Sequence, residues 1–276
     1  MKRSITTILG VILIASIFVG CTKSGSTSVK TDETLTTDVL VIGGGGAGMT
    51  AALTVAEAGK NVILIEKMGY MGGATMMSGG IVPATNTTQQ ASAGIEDSVE
   101  LFARDIFRPN HYNVRQDLVY TVTEKADDVV VWLESLGIKM TLITEFLYHG
   151  QSNYRMHVAD GKGLGITNAM IANINENDKI TVLLNTTGKS LIDENGVVVG
   201  AIAQGADKTY TIKATNTILA TSGFAANDEM IAQYIPEMSN AFKLVAPGAT
   251  GEGILWGEEL GAKTANMKSY QGHGTY

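Results

Sequence analysis

Three glycines and one acidic residue have the types and spacing of a dinucleotide site. Gly43, Gly45 and Gly48 follow the pattern G-x-G-x-x-G, and Glu66 lies about 20 positions after the first of them. In this pattern the first glycine allows a tight turn, the second lets a pyrophosphate approach the backbone, and the third lets a helix pack closely on a strand. The acidic side chain can accept hydrogen bonds from ribose hydroxyls and would repel a 2′-phosphate. The four residues therefore predict a dinucleotide-binding site.

The elements around these glycines fit that prediction. Residues 38–42 form a short apolar, β-branched run, which is typical of a buried parallel strand. Residues 49–58 predict a helix that Gly59 ends, and residues 62–65 predict a second buried strand. The start of the helix would offer free N–H groups and a positive dipole end to phosphates. The segment is thus predicted to be a βαβ unit.

A second glycine cluster narrows the choice of dinucleotide. Gly72 and Gly73, then Gly79 and Gly80, follow within a few residues of the acidic position. A nicotinamide site does not need another close approach to the backbone here, whereas a longer cofactor with a flat tricyclic ring does. The cluster therefore favours FAD.

Composition excludes several classes of function. The chain has 276 residues and is 45% hydrophobic and 17% charged, so it can bury a sizeable core. Its formal net charge of −7 argues against binding to nucleic acid. Cys21 is the only cysteine, which excludes a disulfide, a c-type haem site and a four-cysteine iron–sulfur site on this chain. Electrons from a metal centre would need another polypeptide. His149 and His157 lack a third ligand at useful spacing, so no metal site is predicted.

The N-terminus resembles a bacterial lipoprotein signal. Lys2 and Arg3 form a short positive start, residues 5–19 are apolar but short for a membrane span, and Cys21 follows. This predicts removal of residues 1–20, lipidation of the cysteine thiol, and an extracytoplasmic protein anchored to the bacterial cell membrane. An uncleaved anchor, or a secretory signal with a chance cysteine, is the alternative. Residues 21–36 are polar and Ser/Thr-rich, which predicts a flexible tether.

The rest of the chain predicts helices and then an antiparallel excursion. Apolar spacing predicts helices near residues 95–107, 118–136 and 166–175. The apolar stripe predicted for the second helix consists of Leu118, Val122, Ala126, Val129, Val130, Leu133 and Leu136. A period of two predicts strands over residues 180–185, 188–192, 196–204 and 209–213. Residues 148–165 read as a polar loop, residues 217–221 as a return to the parallel sheet, and residues 248–253 as a glycine-rich turn before a helix. The predicted fold class is α/β: a Rossmann-like FAD-binding domain over residues 37–269 with a parallel sheet, an antiparallel β excursion and helical insertions.

These motifs together make the chain similar to the soluble fumarate reductase flavoprotein family, the FAD-dependent enzymes related to succinate dehydrogenase flavoprotein and flavocytochrome c fumarate reductases. The matching segments, in family order, are TTDVLVIGGGGAGMTAA, LIEK, GGATMMSGG, YRMH, ATSGFA, PGATGEG and QGHGT. With the glycine pattern, the resemblance implies cofactor contacts at Gly43, Gly45, Gly46, Ala47, Gly48, Glu66, Lys67, Gly73, Ala74, Thr75, Ser78, Gly79, Gly80, Gly188, Ala220, Thr221, Gly223 and Glu252.

The chain also departs from the family pattern. Glu252 stands where relatives carry Asp, and Ser222 replaces a usual glycine. No histidine lies between Lys67 and Gly80, where membrane-bound relatives attach FAD covalently. The resemblance therefore implies non-covalent FAD.

The substrate side of the resemblance rests on the end of the chain. His273 matches the histidine of the family motif Gln-x-His-Pro-Thr, which holds a substrate carboxylate, although Gly274 replaces the proline. His273 and Gly80 are the implied substrate-binding residues. The proton-donating arginine and most of the capping domain of the family belong after Tyr276. We therefore expect an N-terminal portion of a longer enzyme, with no catalytic residue of its own and with residues 270–276 beginning the capping domain.

The resemblance implies an FAD-dependent oxidoreductase that reduces the C=C bond of a fumarate-like α,β-unsaturated carboxylate by hydride transfer from flavin N5. A separate donor, such as a cytochrome, a flavoprotein or a quinol-linked partner, would supply the electrons. Two alternatives stay open. One is a non-catalytic flavin-binding fragment, and the other is a related flavin dehydrogenase or reductase that acts on urocanate, a ketosteroid or another enoate.

Overall fold

The structure is a computed structural model that describes residues 31–270. The predictions for residues 1–20, Cys21, His273 and residues 271–276 lie outside the described residues. Within the described range, every helix falls short of the length or apolar content that a membrane crossing requires.

The elements of the described chain are, in order, β1 (Thr31–Ile42), α1 (Gly46–Glu57), β2 (Val62–Ile65), α2 (Gly73–Met77), β3 (Ile81–Pro83), α3 (Thr88–Ser92), α4 (Val99–Phe107), α5 (Gln116–Ser135), β4 (Met140–Leu142), β5 (Met156–Ala159), α6 (Lys162–Asn175), β6 (Ile180–Leu183), β7 (Thr187–Glu194), β8 (Val197–Gln204), β9 (Lys208–Leu219), α7 (Asp228–Tyr234), a 3-10 turn (Pro236–Met238) and α8 (Glu252–Glu259).

The main sheet has the strand order β6-β2-β1-β9-β8-β7. Strands β6, β2, β1 and β9 are parallel neighbours, whereas β9, β8 and β7 pair antiparallel. The parallel part confirms the predicted βαβ unit, in which Val41 of β1 pairs with Leu64 of β2. The antiparallel part confirms the predicted excursion, and its β7–β8 hairpin turns at Asn195 and Gly196, which have φ values of 58° and 83°.

Alternate residues of the central strands fill two separate cores. Val39 and Val41 of β1 pack in a cluster with residues of α1, α5 and α6. Leu40 and Ile42 pack in a second cluster, on the opposite face, with residues of β8 and β9 and with Trp256 of α8. A strand that is buried on both faces needs an apolar residue at every position, which explains the continuous apolar run in the sequence.

The main sheet extends beyond the sequence prediction. Residues 31–36, which composition assigned to the flexible tether, form the first half of β1 and pair with residues 208–213 of β9. Residues 209–213 and 217–221 were predicted as two strands, but β9 runs without a break from Lys208 to Leu219. This pairing relies on backbone hydrogen bonds between polar, threonine-rich stretches. The sequence therefore contains no apolar pattern that would predict the pairing.

The face of α5 also differs from the prediction. Leu118, Val122 and Val129 were placed on the buried stripe, yet they are 56%, 58% and 42% exposed. The buried positions include Val119 and Thr123 instead. Because α5 carries apolar residues on more than one face, spacing alone could not select the face that packs.

The predicted polar loop over residues 148–165 contains strand β5 and the start of α6. Strand β5 is the centre of a small antiparallel sheet with the order β3-β5-β4. The polar composition of this segment predicts exposure to solvent, but two of its polar residues are buried. Arg155, just before β5, and His157, within β5, are both 0% exposed.

A buried ion network connects this small sheet to α4. The Arg155 guanidinium donates to both carboxylate oxygens of Asp97, at 2.8 and 2.9 Å, and to Asp105 at 2.5 Å. These three side chains are at most 1% exposed. Burial alone would raise the pKa of Asp97 and of Asp105, but hydrogen bonds from neighbouring donors, Arg155 among them, outweigh burial and lower both values. The network is therefore charged in the folded protein.

His157 is a structural residue of the same region. Its Nδ1 lies 2.9 Å from the Arg155 carbonyl oxygen, and its Nε2 lies 2.9 Å from the Thr87 hydroxyl oxygen. A carbonyl oxygen can only accept, so Nδ1 carries the hydrogen and Nε2 accepts from the hydroxyl. Burial lowers the pKa of His157 below its ordinary value, which favours the same neutral ring.

Removing the guanidinium should destabilise the fold strongly. Arg155→Met leaves two buried carboxylates without their cation, and loss of one partner from a buried ion network typically costs about 3–5 kcal/mol. Urea denaturation followed by circular dichroism measures the change in the free energy of unfolding.

Arg115→Met is the matched control. It removes an arginine–aspartate pair whose side chains are 70% and 61% exposed, and exposed pairs contribute little. Equal losses of stability in the two variants would show that the buried network is not a special contributor to the fold.

Candidate functional site

A cavity of about 540 Å³ lies where β1, β2 and β9 end and where α1, α2 and α8 begin. The carboxyl ends of parallel strands meet at one edge of a sheet, and doubly wound folds bind their ligands at that edge. The predicted cofactor contacts that line the cavity are Gly43, Gly45, Gly46, Ala47, Glu66, Lys67, Gly73, Ala74, Thr75, Gly188, Ala220, Thr221 and Glu252. Their role as cofactor contacts stays a prediction, but the structure does bring them together.

The turn between β1 and α1 depends on missing side chains. A Cβ atom at Gly48 would lie 1.7 Å from the Gly43 carbonyl oxygen, so only glycine lets α1 start this close to the strand. Gly43 has a φ of 113°, and a Cβ there would lie 2.3 Å from the Ala220 carbonyl oxygen of the segment after β9. The backbones of β1, α1 and β9 therefore meet at one point, which forms an end of the cavity.

The second glycine cluster lies directly against the first. The Gly72 N–H donates to the Gly44 carbonyl at 2.8 Å, and Gly45 forms a bridge with Gly72. A Cβ on Gly73 would lie 3.1 Å from the Gly45 Cα. The two turns thus touch through their backbones, and the starts of α1 and α2 lie on the same wall of the cavity.

Glu66 holds the end of β2 in place. Its carboxylate accepts from the Gly44 N–H at 2.7 Å and from the Met68 N–H at 2.8 Å. A carboxylate has roughly four acceptor positions, so two remain for another donor. The sequence analysis predicts that Glu66 accepts hydrogen bonds from a ribose. It does not predict the hydrogen bond from the Gly44 N–H, which fixes the glycine turn.

Lys67 and Glu252 join two distant segments across the cavity. The Lys67 ammonium donates to Glu252 Oε1 at 2.8 Å and to the Thr250 hydroxyl at 2.5 Å, and that hydroxyl donates to Glu252 at 2.7 Å. Burial alone would raise the pKa of Glu252, but the hydrogen bonds from Lys67 and Thr250 outweigh it and lower the value. Glu252 Oε2 is buried and has no hydrogen-bond partner among the described residues. The carboxylate is therefore charged, and one oxygen is left for a ligand.

Five predicted positions do not line the cavity: Gly48, Ser78, Gly79, Gly80 and Gly223. Ser78 and Gly80 lie against the start of α6, where the Gly163 N–H donates to the Ser78 carbonyl at 3.1 Å. A Cβ on Gly80 would lie 2.3 Å from the backbone of Lys162. Gly80 therefore serves packing between protein segments in the described structure, and the cofactor and substrate roles predicted for it stay predictions.

The sequence prediction also missed parts of the cavity wall. Trp256 lies there because Gly188 has no side chain, since a Cβ on Gly188 would be 2.9 Å from the indole ring. Thr186, Ala246 and Pro247 also line this wall. A signal existed for the tryptophan, since it is four residues after Glu252 and so lies one turn along the same face of α8.

The residues present fit a dinucleotide cofactor. The first turn of α1 has no acidic side chain and no side-chain cap, so its N–H groups can bind a phosphate. Gly45 adds no Cβ to the wall, which leaves room for a pyrophosphate beside the backbone. The unpartnered oxygen of Glu252 suits a hydroxyl group of a ligand.

Comparisons with known proteins agree with this site. The sequence model of the family described as "FAD binding domain" matches residues 38–275. A urocanate reductase of Eggerthella lenta is 38% identical over 250 residues, which cover 88% of this chain and 41% of that protein. A probable fumarate reductase of Shewanella frigidimarina is 35% identical over 242 residues, 87% of this chain and 41% of that protein. The open conformation of a flavocytochrome c3 fumarate reductase is 35% identical, with a TM-score of 0.77 over 82% of this chain and 40% of that one.

This chain belongs to the FAD binding domain family, because the family model spans nearly all of the described residues. It covers about two fifths of the length of these relatives.

Two glycine substitutions should separate packing from ligand binding. Gly48→Ala forces a Cβ into the Gly43 carbonyl oxygen and should lower the melting temperature. At Gly45 the φ is −77° and a Cβ would find its nearest neighbour only at 3.9 Å, so Gly45→Ala should keep the fold. The same Cβ would stand where a pyrophosphate needs to approach, so FAD binding should weaken by roughly tenfold or more.

Thermal unfolding and titration of FAD fluorescence measure the two effects. A Gly45→Ala variant that binds FAD as tightly as the wild type would show that the pyrophosphate does not approach this turn.

Proposed function

We propose that this chain binds FAD non-covalently and forms the flavin-binding part of an enzyme that reduces the C=C bond of a small α,β-unsaturated carboxylate. The observation that carries the proposal is the cavity at the ends of β1, β2 and β9. It combines a glycine turn at a helix start with a charged, partly unpartnered Glu252. The relatives named urocanate reductase and fumarate reductase support the reaction class.

Four residues of the cavity have a proposed task toward the cofactor. The turn around Gly45 and the start of α1 bind the pyrophosphate, because they offer N–H donors without a blocking side chain. Glu66 accepts from ribose hydroxyls with the oxygen positions that the backbone leaves free. Lys67 orients Glu252, so that the free oxygen of that carboxylate meets a hydroxyl of the cofactor. When bound, FAD would supply the hydride that adds to the conjugated double bond.

Two features support the finer parts of the proposal. The segment from Lys67 to Gly80 contains no histidine, which supports non-covalent attachment. The single cysteine supports a separate electron donor, such as a cytochrome, a flavoprotein or a quinol-linked partner. We propose a fumarate-like substrate whose carboxylate contacts His273. Urocanate is the second candidate, because a relative of that activity is 38% identical.

FAD reconstitution tests the cofactor. After incubation with FAD and desalting, the full chain should retain flavin absorption, and acid precipitation should release the flavin into the supernatant. Flavin that stays with the precipitate would contradict non-covalent attachment, and a colourless desalted protein would contradict FAD binding.

Oxidation of reduced methyl viologen tests the reaction class, and it is measured with the FAD-loaded whole enzyme of which this chain is proposed to form the flavin-binding part. We expect oxidation with at least one of fumarate, urocanate and acrylate, and none with succinate as the saturated control. A flavin-loaded whole enzyme that oxidises the dye with none of the three enoates would overturn the reaction class and leave flavin binding intact.

We also propose that the protein works outside the cytoplasm on a lipid attached to Cys21. The positive start, the apolar stretch of residues 5–19 and the cysteine after it support this arrangement. Cys21→Ser should abolish incorporation of labelled palmitate and move the protein from the membrane fraction to the soluble extracytoplasmic fraction. Label retained in the variant would place the lipid elsewhere.

A further inference from the structure

Ser222 is a strained residue in the wall of the cofactor cavity. Its φ is 65°, in the left-handed region that side chains other than glycine and asparagine rarely occupy. Of the described non-glycine residues with positive φ, it is the only one that lines the cavity. Strain of this kind persists where the surrounding structure or a ligand offsets it, and it concentrates at functional sites.

The local sequence places glycine at the less demanding of two neighbouring positions. Gly223 follows directly, yet it is not among the described glycines with positive φ, and a Cβ added to it would meet nothing within 4 Å. Glycine is therefore dispensable at position 223 and would be favoured at position 222, where the chain carries serine. Backbone geometry alone does not explain this order.

The Ser222 hydroxyl has no protein partner to explain it either. Among the described residues, no hydrogen bond is found for its Oγ, and the residue is exposed at the cavity wall. The neighbouring Thr221 differs, because its hydroxyl packs against α8, where a Cβ on Gly253 would lie 2.2 Å from it. The serine thus offers, at the cavity wall, a donor and an acceptor that no described protein group occupies.

We propose that Ser222 is a cofactor-binding residue whose hydroxyl forms a hydrogen bond to bound FAD, and that this bond offsets the strain of its backbone. The inference rests on the proposed FAD binding and adds a contact at a position where the related family carries glycine. Binding of the cofactor is then tighter, and the empty protein less stable, than with glycine at this position.

Two substitutions separate the hydroxyl from the strain. Ser222→Ala keeps the strained side chain and removes the hydroxyl, whereas Ser222→Gly removes both. We expect each variant to raise the dissociation constant for FAD by roughly three- to tenfold, the loss of one hydrogen bond. We expect only Ser222→Gly to raise the melting temperature of the FAD-free protein, by about 2–4 °C.

Asn195→Gly is the matched control. It relieves a positive φ of 58° in the β7–β8 hairpin, outside the cavity, and should leave the affinity for FAD unchanged. Isothermal titration of the full chain with FAD and thermal unfolding without FAD give the two readouts.

The outcomes distinguish this inference from the proposed function. Wild-type protein that binds no FAD overturns both. Wild-type protein that binds FAD while Ser222→Ala and Ser222→Gly bind it equally well overturns only the contact. If Ser222→Ala fails to fold, the Ser222→Gly variant alone tests the contact. A Ser222→Gly variant that is more stable than the wild type and binds FAD as tightly would refute the hydroxyl contact.

Discussion

The backbone of α1 lies against the backbone of the turn that ends β1, and the absence of a side chain at position 48 permits this contact. A Cβ there would lie 1.7 Å from the Gly43 carbonyl oxygen, and a Cβ at Gly43 would meet the Ala220 carbonyl at 2.3 Å. These two approaches set the distance between β1, α1 and β9. At this end the cavity is therefore bounded by backbone, whose N–H groups and helix dipole suit an anionic ligand.

The charged side chains around this backbone site are committed to the protein before any ligand arrives. Glu66 ties the end of β2 to the glycine turn, and Lys67 ties the same strand end to α8 through Glu252. Each of them is thereby held in one orientation, which lowers the ordering cost when a ligand binds. The site is accordingly pre-organised, and its acidic groups present only those oxygens that the fold leaves free.

The sequence predicted the βαβ unit because all of its determinants are local: apolar runs, a glycine pattern and an acid at fixed spacing. The sequence did not predict features that depend on residues far away in the chain. The first half of β1 is a strand only because residues 208–213 pair with it. Its own polar composition is typical of a flexible tether. Arg155 looks like a solvated loop residue until Asp97 and Asp105 neutralise it in the interior. Such pairings follow from the assembled fold and leave no periodic signal.

The same limit applies to the glycines of the two clusters, because the sequence does not show what lies beside each of them. Gly45 and Gly80 are equivalent in the sequence, since each marks a place where a Cβ is missing. They differ in what occupies that place: beside Gly45 there is open cavity, and beside Gly80 there is the backbone of α6 at 2.3 Å. A glycine whose missing Cβ faces protein is a packing residue, and one whose missing Cβ faces a cavity leaves room for a ligand. Because a motif records the missing atom but not its surroundings, a glycine-rich cluster predicts the region of a site better than its individual contacts.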